Sequence, residues 1–403
     1  MDAARLENIR RWQHRYVDHR RYAGSSLLIN RGGEECYFYA VGHRNIAEDL
    51  PFTRDTVTRI YSMTKPVTSL ALMLLLERGL LHLDAPVSEF LPEFIDMHCL
   101  IEGATDINQT QPCRAPTLHE LLTHTSGLSY PFNPGLLAEE MSKTDLMFKP
   151  DQGLLATKVT ELASLPLAFE PGKRWEYSVG IDVIGRVIEV VTGDSLAAFL
   201  KREIFDPLGM DQTAFHTLAE AGNRLASLYS PLSGDAMDLN GAEQGDESLR
   251  LIDCYVDTPF DRAEMHSGGG GLLSTIDDYM RFVELIRLRG RLGKHHLISP
   301  QIVDFMCQNH LPGDIASMGP QSFAEQPMEG MGFGLGGAVV LDPARARCPG
   351  SVGDFSWGGM ASTFFWVDPL LDLSVVFFTQ LAPSSSYPAR AELKALVHGA
   401  ITG

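Results

Sequence analysis

Residues Ser62 to Arg78, S-M-T-K-P-V-T-S-L-A-L-M-L-L-L-E-R, constrain the fold more than any other stretch. Apolar positions cover nearly the whole circumference of a helix there, so the segment belongs inside a core rather than on a surface. Gly79 is available to end the helix. Pro66 is tolerated only in a first helical turn, which keeps the start close to Ser62. The run Leu70 to Leu76 is far shorter than the roughly 18 residues a membrane span needs, so a buried helix and no membrane partner are expected.

Material for that core is ample. The chain has 403 residues, 44% hydrophobic and 21% charged, which is globular composition and more length than one core usually supports. A formal net charge of −18, with no Lys/Arg-rich block, repels phosphate backbones and argues against nucleic acid as a partner. The N-terminal M-D-A-A-R-L-E-N-I-R-R-W-Q-H-R-Y reads as an amphipathic helix without a signal-peptide core, so a cytoplasmic protein is expected. Six scattered cysteines (Cys36, Cys99, Cys113, Cys254, Cys307, Cys348) form no C-x-x-C pair, and most of them are expected as buried thiols.

Strand signals cluster at the two ends. S-S-L-L-I-N-R-G-G-E-E-C-Y-F-Y-A-V-G reads as a hairpin turning at Gly-Gly, and G-F-G-L-G-G-A-V-V-L, A-S-T-F-F-W-V-D-P and L-S-V-V-F-F-T-Q read as strands before a closing helix, A-E-L-K-A-L-V-H-G. The middle is helical. Thr117 and Glu120 have capping-box spacing before a short helix that Gly127 could close. Ile181, Ile184, Val187, Ile188 and Val191 recur at helical intervals before Gly193. Residues 219–262 read as a long polar loop. The H-S-G-G-G-G run lacks P-loop spacing and reads as close backbone packing or a tight turn ahead of a helix capped by Ser274 or Thr275. The expected fold is α/β (α+β): a mixed, mainly antiparallel sheet domain from 1–95 and 268–403, a mostly helical domain from 96–267, and an active site in the seam.

Ser62 and Lys65 lie three apart, on one face of a helical turn, where an amine can reach a hydroxyl. Free amides and the dipole at a helix N-terminus favour the oxyanion that forms when a serine attacks a carbonyl. The lysine must be neutral for part of its cycle, and burial favours that form. S-x-x-K also occurs by chance, and helix-end lysines often simply reach for water. Two other motifs decide between these readings: Tyr177-Ser178-Val179 after a Pro-Gly turn, and Trp357-Gly358-Gly359, placed at the start of a strand.

These elements, in this order, resemble the serine beta-lactamase and penicillin-binding-protein superfamily, and within it the class C beta-lactamase-like esterases, or family VIII carboxylesterases. The resemblance runs from about residue 20 to 385 and includes H-T-S-G-L at 124–128. It implies an acylated nucleophile at Ser62, Lys65 as its partner, and Tyr177 sharing general-base duty and protonating the leaving group. It further implies an oxyanion hole from the Ser62 and Met360 amides, with Gly358 and Gly359 allowing close approach of substrate and Tyr130 lining the pocket. No metal or organic cofactor is expected.

Two departures matter. Trp357 stands where lactamases carry the cation that binds a substrate carboxylate, and Val179 stands where they carry an amide. Both favour a small, short-chain, uncharged ester over a lactam, with weak beta-lactamase activity at most. Loss of that cation also leaves Lys65 more of the task of acidifying Tyr177. An acyltransferase, an amide hydrolase and a catalytically silent binding protein remain the alternatives. No H-E-x-x-H or G-x-S-x-G occurs, and neighbouring His295 and His296 fall in a polar loop, so neither metal chemistry nor an α/β-hydrolase triad is indicated.

Overall fold

A computed structural model describes residues 1–233, 243–244 and 249–402. At its centre is an eight-stranded sheet assembled from both ends of the chain. Strands β1 (Gly24–Arg31), β2 (Glu34–Asn45) and β3 (Leu50–Pro51) come from the N-terminal side. Strands β4 (Met331–Phe333), β5 (Ala338–Val340), β6 (Phe355–Gly358), β7 (Phe364–Asp368) and β8 (Leu373–Thr379) come from the other. The order is β4-β5-β6-β7-β8-β1-β2-β3, and β8 joins the halves by pairing along β1. Every pairing in this sheet is antiparallel, which sharpens the mainly antiparallel arrangement expected. The first hairpin turns at Gly32 and Gly33, with φ of 63° and 80°.

Six helices matter here: α1 (Ala3–Asp18), α2 (Thr64–Glu77), α3 (Leu118–Leu122), α4 (Gly180–Thr192), α5 (Ile276–Arg287) and α6 (Ala389–Gly399). The C-terminal strands read as unbroken apolar runs because both sheet faces are buried and successive side chains point to opposite ones. Leu27, Phe364, Trp366, Val375 and Phe377 meet Trp12 and Tyr16 of α1 and Leu393 and Val397 of α6. Leu28, Phe365, Val367, Val376 and Phe378 enter a larger core with Tyr279 and Phe282 of α5 and Val67 and Leu70 of α2. Full burial of a side chain of this size contributes roughly 1.5–3 kcal/mol, so the two-sided sheet is a rigid base for what is attached to its edge.

Helix α2 is enclosed as its sequence requires: every residue from Thr64 to Leu75 is buried, and Gly79 (φ 69°) follows its end. The capping box at Thr117 and Glu120 forms, but α3 stops at Leu122, short of Gly127. His124 already turns the chain at φ 59°, because its Nδ1 accepts the Ser178 amide at 3.2 Å. Gly127 instead brings the backbone against the Phe169 carbonyl. None of the four glycines 268–271 is left-handed; they serve close packing, since a Cβ at 268 would lie 2.7 Å from the Ile181 carbonyl oxygen. Thr275 caps α5.

Three further expectations are corrected. Trp357-Gly358-Gly359 spans the end of β6 and the turn beyond it, not the start of a strand; the Gly359 amide donates to the Thr363 carbonyl and closes the turn into β7. Among the six cysteines only Cys99 is fully buried, and all are free thiols. Of the loop expected over 219–262, residues 234–242 and 245–248 lie outside the described residues. The remainder includes short 3-10 turns (Ala219–Arg224, Pro259–Arg262) and an antiparallel pair, Leu228–Ser230 with Arg250–Asp253. Buried Arg59 organises it, donating to Asp253 Oδ2 at 2.9 and 2.6 Å and to the Ala226 carbonyl at 2.6 Å.

Candidate active site

Ser62 sits on a 3-10 turn, Tyr61–Met63, that leads into α2. Tyr61 before it has φ +41°, a left-handed conformation that costs a non-glycine residue on the order of 1–3 kcal/mol and persists only where surroundings impose it. Here the Ile60 amide is held by the Leu272 carbonyl, and Gly359 lies against the Ile60 carbonyl, where a Cβ would overlap it. Gly358 is constrained from the other side, since a Cβ there would fall 2.5 Å from Arg390 Nη2. The two glycines thus bring the end of β6, and with it Met360, against the turn that carries Ser62.

Lys65, fully buried in the first turn of α2, donates to Ser62 Oγ at 3.2 Å, Tyr130 Oη at 2.9 Å and the Gly269 carbonyl at 2.7 Å. Its three N–H bonds therefore each have an acceptor. Tyr177 is reached differently: Lys65 Nζ lies 4.6 Å from the centre of its ring, and the Tyr177 hydroxyl accepts from Trp357 Nε1 at 3.4 Å. The phenol hydrogen-bonded to the lysine is Tyr130, a residue expected from sequence only to line the pocket. Burial first, then the Asp182 and Tyr177 charges, push the Tyr130 hydroxyl well above the ordinary phenol range.

Aromatic packing fixes these groups. Trp357 stacks on Phe323 (5.9 Å, 10°), and Tyr130 stacks on Phe132 (4.8 Å, 14°). His124 packs 4.7 Å from Tyr177 while bonding Ser178, and burial together with the Lys65 charge holds its imidazole well below the ordinary value. It is a neutral brace for the Tyr177-Ser178-Val179 segment. Val179 is fully buried.

Ser62, Tyr130, Tyr177, Trp357, Gly358, Gly359 and Met360 all line one cavity of about 800 Å³, with Lys65 beneath its floor. Three further residues at this cavity carry no sequence motif. Asp182 lies in the first turn of α4, where an acid reads as an ordinary dipole complement. Phe323 comes from a short hairpin, Ser322–Pro327. Arg390 of α6 reaches the strand end beside Gly358 and pairs with Glu325 at 3.3 Å, so the wall carries a cation, already partnered, that the tryptophan substitution did not suggest. His295 and His296 lie on an exposed two-residue strand, remote in kind from this site. Among the described residues no helix is long and apolar enough to cross a membrane.

The esterase EstB of Burkholderia gladioli is 33% identical over 90% of this chain and 87% of its own. Monacolin J acid methylbutanoyltransferase of Aspergillus terreus is 31% identical over 91% of this chain and 88% of its own. The solved structure of EstCE1, described as a hydrolase with promiscuous acyltransferase activity, superposes with a TM-score of 0.80 at 27% identity, covering 99% of this chain and 98% of that one. The beta-lactamase family model matches residues 9–399. With its serine and lysine three apart at the head of a buried helix, on this fold and over this length, the chain belongs to the beta-lactamase family.

Proposed function

We propose that the protein is a serine carboxylesterase whose nucleophile is Ser62. The observation that carries the reading is the Lys65 Nζ contact shared between Ser62 Oγ and a phenol at the foot of an aromatic cavity. Ser62 Oγ attacks the ester carbonyl while its proton passes to the Lys65–tyrosine group, and the Ser62 and Met360 amides hold the oxyanion. Collapse breaks the bond to the alkoxy oxygen, which leaves as the alcohol with a proton from Tyr177. Water then adds to the acyl-serine and releases the acid, returning the proton to Ser62. No metal or organic cofactor enters any step. Similarity to EstB, whose name is that of an esterase, supports ester over lactam, as do Trp357 and Val179 where a lactamase would hold substrate with a cation and an amide.

The catalytic cavity lies, in this reading, at the seam between a sheet unit (1–95 and 268–403) and a helical unit (96–267) of a cytoplasmic enzyme. Its volume of about 800 Å³ exceeds what a short acyl group fills, leaving room for a sizeable alcohol portion. That same space favours a second reading, acyl transfer to an alcohol acceptor, as in the transferase relative. A fluorophosphonate probe tests the first: it should label wild-type protein at Ser62 and not Ser62→Ala, and retained ester turnover in Ser62→Ala at the parental rate would sink it. Product analysis with and without added alcohol separates hydrolysis from transfer.

A further inference from the structure

Asp182 is a carboxylate beside the reacting groups that none of these steps uses. It is 1% exposed, on a helix whose other buried residues from Gly180 to Ile188 are apolar. Its Oδ1 accepts from Ser267 Oγ at 2.5 Å and from the Gly269 amide at 3.0 Å. The Gly269 carbonyl in turn accepts from Lys65 Nζ at 2.7 Å. A single residue therefore connects carboxylate and lysine, its amide facing one and its carbonyl the other. Only glycine fits there, because a Cβ would overlap Asp182 Oδ2 and lie 3.0 Å from Tyr130 Oη.

Among the described residues the charged and titratable groups that bear on this carboxylate are Lys65 from α2 and Tyr130 from the segment before α4, with Tyr177 packed against Tyr130; His124, behind Tyr177, is neutral. Burial pushes the Asp182 carboxyl up, against the Lys65 charge and the bonds from Ser267 and Gly269. Burial first, and this same negative charge second, push the Tyr130 hydroxyl up. Lys65 itself is held by a hydroxyl, a phenol and a carbonyl, none of them an ion, so Asp182 acts on it at one residue's remove.

We propose that Asp182 is a positioning residue that sets the proton affinity of the Lys65–tyrosine group: it orients the Gly269 peptide as the lysine's acceptor and stabilises the group once it has taken the Ser62 proton. This rests on Ser62 being the nucleophile. An anion near the base makes it a stronger base, which raises both the rate of proton abstraction and the pH below which the base is already occupied.

The test is the pH dependence of kcat/KM for an activated ester, with the rate of fluorophosphonate labelling of Ser62 measured in parallel. Asp182→Asn keeps an oxygen for Ser267 and Gly269 but removes the charge. Its acid limb should move down by about one pH unit, with the plateau falling about tenfold. Ser267→Ala strips one hydrogen-bond donor from the carboxylate, so the negative charge felt by the lysine is less offset and the limb should move up by about 0.3 unit. An Asp182→Asn enzyme with a lower plateau but an unmoved limb would reduce the residue to packing and overturn the proposal. Should Asp182→Asn not fold, Ser267→Ala decides, and a limb that stays or moves down overturns it. Failure of wild-type protein to label at Ser62 would instead strike the nucleophile assignment.

Discussion

Lys65 and Lys394 are both buried, both lie over aromatic rings, and are held in opposite ways. Lys394 of α6 donates to Asp354 Oδ2 at 2.8 Å, inside a cluster with Asp368 and His398. Among the described residues Lys65 meets no carboxylate within 4 Å, only a hydroxyl, a phenol and a carbonyl. Lys394 is held in a fixed ion pair, whereas Lys65 is hydrogen-bonded to two hydroxyl groups, each of which carries a proton of its own. The first arrangement serves docking of the last helix, and the second is the one that the proposed proton transfer requires.

Exchanging each lysine for alanine tests the contrast most severely. Lys65→Ala should lower kcat by roughly 10²–10⁴ at a smaller cost in stability than the same change at Lys394. Lys394→Ala should leave Asp354 buried without its cation and cost about 3–5 kcal/mol, with kcat/KM of the folded fraction unchanged. Denaturant titration and steady-state kinetics on the same samples check both, and a Lys394→Ala protein as stable as its parent would break the contrast.

The two phenols sharpen it further. Tyr177→Phe should lower kcat about 10²-fold, as loss of a proton donor does. Tyr130→Phe, which removes one acceptor from Lys65, should cost about tenfold. Equal effects in single-turnover acylation would mean that the hydrogen-bonded phenol shares the proton transfer.

On the structural side, Asp368 is caught between burial, which raises its carboxyl, and bonds involving His398 and Ser351, which bring it below the ordinary carboxylate range. Its folded value lies below the unfolded one, so its stabilisation is complete above the ordinary carboxylate range and fades as pH falls through the depressed value. Asp368→Asn should therefore lose about 1.5–3 kcal/mol at neutral pH, a difference that shrinks in melts run at progressively lower pH. The smallest effect is expected of Trp357→Lys, which places a cation beside Tyr177 and should move the acid limb of kcat/KM down by about half a unit; an unchanged profile would mean that Lys65 alone governs the phenol.

Much of this was legible because it is local. Ser62 and Lys65 meet through helical spacing, the capping box at Thr117 forms within four residues, and the Gly32–Gly33 hairpin follows from its turn. Features that depend on what the chain folds against were misread. Gly127 looked like a helix stop but serves a contact with Phe169, forty-two positions on. The Trp-Gly-Gly motif was placed one strand too late because only the pairing of β6 with β7 fixes where the turn falls. Tyr130 is expected from sequence only to line the pocket, and its bond to Lys65 depends on folding across 65 positions.

The sequence by itself determined that a helix apolar around nearly its whole circumference would be buried with a serine and a lysine at its head, since periodicity and i,i+3 spacing act within one turn of chain. It also determined that strands from both termini would supply a sheet, since each carries its own apolar signal. Only the tertiary structure decided which phenol reaches the lysine, that an aspartate lies one peptide away, and that an arginine from the last helix enters the cavity wall. Those contacts join residues about 65 to more than 200 positions apart, and their strength comes from removing charges from water together, which no single stretch of chain can do.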